Sequence, residues 1–124
     1  MIAADSSVVI DHFAGIATPQ TAQFEGYLLG GVAVLAPATL TELLSDPRGG
    51  RNVGDILNDM KLLPLGDGYW ERAGLLRAKV RQAGCKAALG DALIAQACID
   101  ADAPLLTSDT DFEAFAKLGG LKLA

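Results

Sequence analysis

Four carboxylates in this chain stand where alternating strands and helices would bring them to one place. Asp5 follows the apolar run Ile2 to Ala4 at once, and Glu42 lies in the first turns after the run Val32 to Ala36. Asp91 follows Gly90 at a helix start, and Asp109 follows Leu105 to Thr107 after one Ser. In open parallel sheets ligands bind beyond the carboxyl ends of the strands, where the chain turns and helix amino termini gather. Each residue taken alone has a simpler role, because an Asp at a helix start caps free amides and complements the helix dipole. As a converging set they would raise one another's pKa and oppose folding unless a cation sat among them. Sites built only of carboxylates suit hard cations, and Mg²⁺ or Mn²⁺ fits a few carboxylates plus waters. The closely spaced oxygen ligands of a calcium loop are missing. A hard cation can orient and activate water and offset charge on a phosphorane-like transition state, and two ions about 4 Å apart can clamp both reacting oxygens. The chemistry to which the four carboxylates point is phosphodiester hydrolysis.

The elements that must position them read as strand, turn and helix in repetition. Ser6 and Ser7 offer caps for a helix through Val8, Val9, Ile10 and Phe13, and a second helix spans 20–29 and stops at Gly30 and Gly31. After the strand 32–36, Thr39 can cap the helix that carries Glu42, which Pro47, Gly49 and Gly50 end. A helix around 53–60 leads to an apolar run at 62–65, and Gly66 and Gly68 precede a long amphipathic helix over 69–83. Asp91 opens a helix with Leu93, Ile94, Ala97, Cys98 and Ile99 on its apolar face. Pro104 begins the strand 105–107, Phe112 and Phe115 mark a last helix, and 121–123 suits an edge strand. Strands alternating with helices require crossovers, so the expected fold is α/β, a mainly parallel central sheet flanked by helices on both faces, as one domain over 1–124.

Composition limits the functions available. The chain has 124 residues, of which 51% are apolar and 20% charged, which excludes disorder. A core of this size can bury roughly two thirds of the unfolded surface, so neither metal nor disulfide is needed merely to fold. Ten Lys and Arg against fifteen Asp and Glu give a net charge of −5, which excludes a broadly basic nucleic-acid binder. Setting the four carboxylates aside leaves the remainder close to neutral. No Lys or Arg precedes Arg48, so no basic leader is expected and the expected compartment is the cytoplasm. The longest uncharged stretch, between Glu25 and Glu42, is broken by glycines and Pro37 and is too short to span a membrane. Cys85, Cys98 and the lone His12 are too few and too scattered for a metal knuckle or a redox pair.

At these positions the sequence resembles the PIN-domain ribonucleases, specifically the VapC-type toxins of bacterial toxin–antitoxin pairs. The likeness spans essentially the whole chain. It is carried by Asp5-Ser6-Ser7-Val8-Val9-Ile10-Asp11, by Glu42 within Thr41-Glu42-Leu43-Leu44, by Gly90-Asp91-Ala92-Leu93-Ile94-Ala95 and by Leu106-Thr107-Ser108-Asp109-Thr110-Asp111-Phe112. The resemblance implies that Asp5, Glu42, Asp91 and Asp109 form an acidic quartet around Mg²⁺. It implies Asp111 as a fifth member, behind the others or on a second ion, with Ser7 and Thr107 as polar supports. It further implies an endoribonuclease that inhibits translation and growth, a homodimer, and a cognate antitoxin that covers the acidic groove. Ser108 departs from the family, in which a basic residue often stands between the Thr and the Asp.

An acidic nuclease still needs local positive charge for RNA. Arg72, Arg77, Lys79, Arg81 and Lys86 concentrate half of all basic residues within fifteen positions, and Arg48 and Arg51 add a loop. They serve either RNA or solubility. Asp11, Asp100 and Asp102 read as exposed helix residues and His12, beside Phe13, as packing. Tyr69 and Trp70 could stack on a base, or anchor their helix to the core or to a partner. Two other classes compete with the nuclease: a phospho-acceptor signalling domain, which would need a Lys after a late strand that is absent here, and a PIN-like binding module without activity.

Overall fold

The computed structural model describes residues 1–47 and 53–124. Arg48, Gly49, Gly50 and Arg51, taken above as a helix end and a basic loop, lie outside the described residues. The elements run β1 (Ile2–Ala4), α1 (Ser6–Phe13), α2 (Pro19–Leu29), β2 (Ala33–Leu35), α3 (Pro37–Ser45), α4 (Val53–Asp59), β3 (Lys61–Leu62), α5 (Tyr69–Gln82), α6 (Leu89–Asp100), β4 (Leu105–Leu106) and α7 (Phe112–Gly119). All pairings in the four-stranded sheet are parallel, in the order β3-β2-β1-β4. The α/β reading with helices on both faces is borne out.

The strands are short, yet they sort side chains cleanly, because successive residues of a strand point to opposite faces. Ala3, Val34 and Leu105 join one core with Tyr69, Leu76 and Val80 of α5, Ile94 of α6 and Phe112 and Phe115 of α7. Ala4, Leu35 and Leu106 join the other with Val8 and Val9 of α1, Phe24 of α2 and Leu43 of α3. Phe24, Phe112 and Phe115 are fully buried, and each contributes about 1.5–3 kcal/mol of hydrophobic stabilisation. Helix α6 is the central one, buried at Ala92, Ile94, Ala95, Ala97 and Cys98, and its alanines let α3, α5 and α7 pack closely against it.

Several expected boundaries move for local physical reasons. The second helix starts at Pro19, because Thr18 and Thr21 form a reciprocal capping box. The helix carrying Glu42 starts at Pro37, with Ala36 at the cap position. Thr39 is therefore inside its first turn, buried, and its hydroxyl has no hydrogen-bond partner among the described residues. Asp5 itself caps α1, in place of Ser6 or Ser7. The apolar run at 62–65 gives a strand only at Lys61–Leu62, with Leu63 N–H donating to the Leu35 carbonyl at 2.8 Å. At 121–123 the expected edge strand reduces to one parallel bridge between Leu105 and Leu123.

Candidate active site

The strand order sets the site. From β1 the chain builds outward through β2 and β3, then returns to place β4 on the other side of β1. The crevice beyond the carboxyl ends of β1 and β4 is thus a topological switch point, the habitual ligand site of open α/β sheets. Asp5 leaves β1 there, and Thr107 to Asp111 leave β4 beside it. Helices α3 and α6 deliver Glu42 and Asp91 from the flanks.

Asp5 is the buried member, 5% exposed. Its Oδ1 accepts from the Ser6 N–H at 2.8 Å, and its Oδ2 accepts from the Ser7 hydroxyl at 3.1 Å and the Thr107 hydroxyl at 2.9 Å. A carboxylate has about four acceptor positions, so three are filled and one is left. Thr107 does two tasks, since its Oγ1 also accepts from the Asp109 N–H at 3.0 Å. Asp109 Oδ1 in turn accepts from the Asp111 N–H at 2.9 Å. The loop after β4 is thereby folded onto Asp5 by a chain of hydrogen bonds spanning more than a hundred residues of sequence.

Asp91, Asp109 and Asp111 meet most closely. Each can offer one oxygen such that the three lie within 4.8 Å of one another. Asp91 is the acidic residue in the first turn of α6, where it complements the helix dipole, but no capping hydrogen bond to its side chain is present among the described residues. Glu42 is half-buried, with Oε1 3.3 Å from the Ser6 hydroxyl that donates to it. Its Oε2 lies against Gly90 of α6, where a Cβ would stand 3.4 Å from it, an ordinary contact.

The charges press on one another. Burial, then the charges of Asp109, Asp5, Glu42 and Asp111, push the Asp91 carboxyl up to about 6. Burial raises Glu42 as well, helped by Asp5 and Asp109. Burial also raises Asp5, against the pull of its three hydrogen bonds. The other four carboxylates expected at the site are therefore all within electrostatic reach of Asp91, and Asp109 and Asp111 can each bring an oxygen within 4.8 Å of it. A donor set of carboxylate oxygens with excess negative charge fits a hard divalent cation.

The other expected site residues divide. Ser7 and Thr107 both hold Asp5. Arg72 is paired in two-pronged fashion with Asp100, at 3.2 and 2.6 Å, and also donates to the Asp67 carbonyl at 2.8 Å. Asp100 ends α6 nine residues beyond Asp91, roughly 14 Å along the helix, which sets Arg72 apart from the acidic cluster. Arg77 Nε donates to the Ala87 carbonyl at 2.9 Å. Lys79 and Arg81 are exposed along α5. His12 packs edge-on against Phe13 and Phe24 at 5.1 Å from each ring. Tyr69 anchors α5 to the core by donating to the Leu93 carbonyl at 2.6 Å, while Trp70 is 64% exposed. Trp70, Leu65 and Leu89 line an apolar cleft of about 310 Å³ that reaches Glu42 and Gly90. Burial pushes the Cys98 thiol up to about 12, and Cys85 is exposed.

Two participants were not legible as such. Ser6 was taken for a cap, yet its hydroxyl reaches Glu42 across the site. Lys86 was grouped with the α5 cations, yet its Nζ is 3.1 Å from Asp111 Oδ2. Its position five residues before Asp91 was the available signal.

The sequence profile of the PIN domain family matches residues 2–118. The chain belongs to the PIN domain family. Its fold is similar to that of a chain in the crystal structure of VapBC2 from Rickettsia felis bound to a DNA fragment from their promoter, with a TM-score of 0.76 over 100% of this chain and 98% of that one. Sequence identity with it is 19%. No curated protein matches the chain by sequence. Within this PIN domain no helix among the described residues is long and apolar enough to cross a membrane.

Proposed function

We propose that this PIN domain is a divalent-metal-dependent endoribonuclease, the VapC-type toxin of a toxin–antitoxin pair, and that it acts in the cytoplasm. The observation that carries the reading is the gathering of Asp91, Asp109 and Asp111 oxygens within 4.8 Å of one another. Those three residues would hold Mg²⁺ or Mn²⁺, with the remaining acceptor position of Asp5 as a further ligand. The bound ion supplies charge for the phosphate and activates water for attack on phosphorus.

The chain's own residues do the rest. Ser7 and Thr107 fix the Asp5 carboxylate, and Thr107 together with the Asp111 N–H orients Asp109. Glu42 has Oε1 engaged by Ser6 and Oε2 toward Gly90. With its pKa raised by burial, Glu42 is a stronger base than an exposed carboxylate. It accepts the proton of the attacking water as the new oxygen–phosphorus bond forms and the phosphorus bond to the ribose oxygen breaks, that oxygen taking a proton from solvent to leave as a hydroxyl. Lys79 and Arg81 are available to the RNA backbone. The similarity in fold to VapBC2 supports an antitoxin as partner, and the exposed apolar cleft at Trp70 supports a covered face, in a homodimer or under that antitoxin.

The test is to incubate purified protein and its Asp5→Asn variant with total cellular RNA and Mg²⁺ or Mn²⁺, and to map new 5′ ends. Cleavage by the parent and none by a folded variant is expected. A variant that cuts as well as the parent would overturn the site, and a parent that never cuts would leave a PIN-fold binding module. Growth arrest on expression that requires Asp5 and is relieved by the neighbouring gene checks the toxin role.

A further inference from the structure

Among the described residues, Lys86 is the cation that faces the acidic group, and the fold holds it there. It lies in the short connection between α5 and α6, which is pinned on either side of it. Before it, the Cys85 N–H donates to the Val80 carbonyl at 3.2 Å. After it, Ala87 is buried and its carbonyl accepts from Arg77 Nε at 2.9 Å. Gly84, at φ +80°, makes the reversal out of α5 that a side chain would strain. The result is an ammonium 3.1 Å from Asp111 Oδ2 that also feels Asp109 and Asp91. Its side chain is 75% exposed. An exposed pair of this kind contributes little, so the ammonium is held in place but easily released.

Resting on the nuclease reading above, we propose that Lys86 is a substrate-contacting residue parked on Asp111: its ammonium neutralises the acidic group while that group is bare and moves to an RNA phosphate oxygen once a divalent ion is bound. Three features of the structure suit such a role. The Lys86 side chain is largely exposed, it is joined to a member of the Asp91, Asp109 and Asp111 trio, and its loop is fixed while its own four-carbon stem is free to swing. Arg77 then has a task different from the RNA contact considered for it, as a positioning residue for that loop.

Two measurements on the full chain test this, with Lys86→Met and Lys86→Arg as variants. The first is Mn²⁺ affinity by calorimetry without RNA. Removing a competing cation from Asp111 should tighten Mn²⁺ binding in Lys86→Met by roughly two- to fivefold, the range of an exposed ion pair. The second is binding of a mixed-sequence phosphorothioate RNA with Mn²⁺ present, over a range of salt. Lys86→Met should bind it more weakly, with the salt slope reduced by about 0.7, one phosphate contact to a single strand. Lys86→Arg should follow the parent in both. Tighter metal binding with an unchanged salt slope would make Lys86 a mere counter-ion, and a changed slope with unchanged metal affinity would remove the parking. Either result overturns the proposal. If the parent neither binds Mn²⁺ nor cuts RNA, the nuclease reading itself fails, whereas a competent parent with an indifferent Lys86→Met variant sinks only the role of Lys86.

Discussion

At one end of α6, Asp91 is crowded by other carboxylates and its pKa rises to about 6; at the other end, Asp100 is gripped by Arg72 and its pKa falls below the ordinary carboxylate range. The side chain and the helix are the same. The neighbours decide. Asp100 receives two bonds from Arg72 and one from Gln96 at 2.8 Å, and the result is a clasp between α5 and α6. Asp91 has no capping bond and shares its surroundings with Asp109, Asp5, Glu42 and Asp111. A satisfied carboxylate fastens structure, while a group of carboxylates without enough cations is an unfavourable arrangement that an added ion can relieve. Strongly perturbed carboxyls in a crevice are for that reason candidates for function.

The contrast can be broken most sharply at Asp91. Replacing Asp91 with Asn should lower RNA cleavage by about a hundred- to a thousandfold while the protein stays folded, the scale on which removal of a key electrostatic group acts. Cleavage assays beside circular dichroism check it, and activity within tenfold of the parent would dissolve the distinction drawn between the two ends of α6. Next is Thr107→Val, which keeps the shape but removes the donor to Asp5 and the acceptor for Asp109. Loss of a group that orients metal ligands typically costs 10–100-fold, and the same assay should find a fall of about that size, with metal affinity reduced in parallel.

Stability should respond in the opposite sense to activity. A carboxyl whose folded pKa lies above its unfolded value binds protons more tightly when folded, so the stability it lends at low pH is lost as pH rises through the folded value. For Asp91 the window runs from roughly pH 4 to about 6. Discounted for the solvent that reaches this half-buried group, the loss is about 1–2 kcal/mol. Metal-free protein should therefore melt several degrees lower at pH 7.5 than at pH 4.5, near the lower end of that window. Asp91→Asn should flatten that difference, and Mn²⁺ should raise the melting temperature of the parent at pH 7.5 far more than that of the variant. Thermal melts at both pH values decide it, and equal melting temperatures in the metal-free parent would contradict the crowding. The smallest effect is at the other end of the helix. Arg72→Ala should lower the melting temperature slightly and leave cleavage unchanged, and a large loss of cleavage would bring Arg72 back as an RNA contact.

Much of the fold and most of the candidate site could be read from residue order. Apolar runs ending in Asp5 and before Asp109, and Gly90 before Asp91, placed those residues near strand ends or helix starts, where the structure has them. The short apolar run at 62–65 was ambiguous, because a strand needs a partner along its length and only Lys61 and Leu62 have one in register with β2. Capping was misread at Thr39 because the helix starts two residues earlier, at Pro37, and at Ser6 and Ser7 for a related reason. A hydroxyl next to a helix start can cap it or bond across the molecule, and what is near in space decides which. The α5 cations looked alike as a run of charge, yet Arg72 and Arg77 are bonded and Lys86 faces the acid, because helix period and the turn at Gly84 send them in different directions.

What the sequence by itself determined was the kind of molecule: alternating strands and helices with an apolar core, and carboxylates punctuating the ends of strands. Those follow from local periodicity and turn chemistry, which act over a few residues. The strand order was decided only in three dimensions. Placing β4 beside β1 and not beyond β3 brings Thr107 within 2.9 Å of Asp5 and sets Asp91, Asp109 and Asp111 together. Charge crowding depends on distance between groups far apart in the chain, so which carboxylate is strained and which is satisfied belonged to the tertiary structure alone.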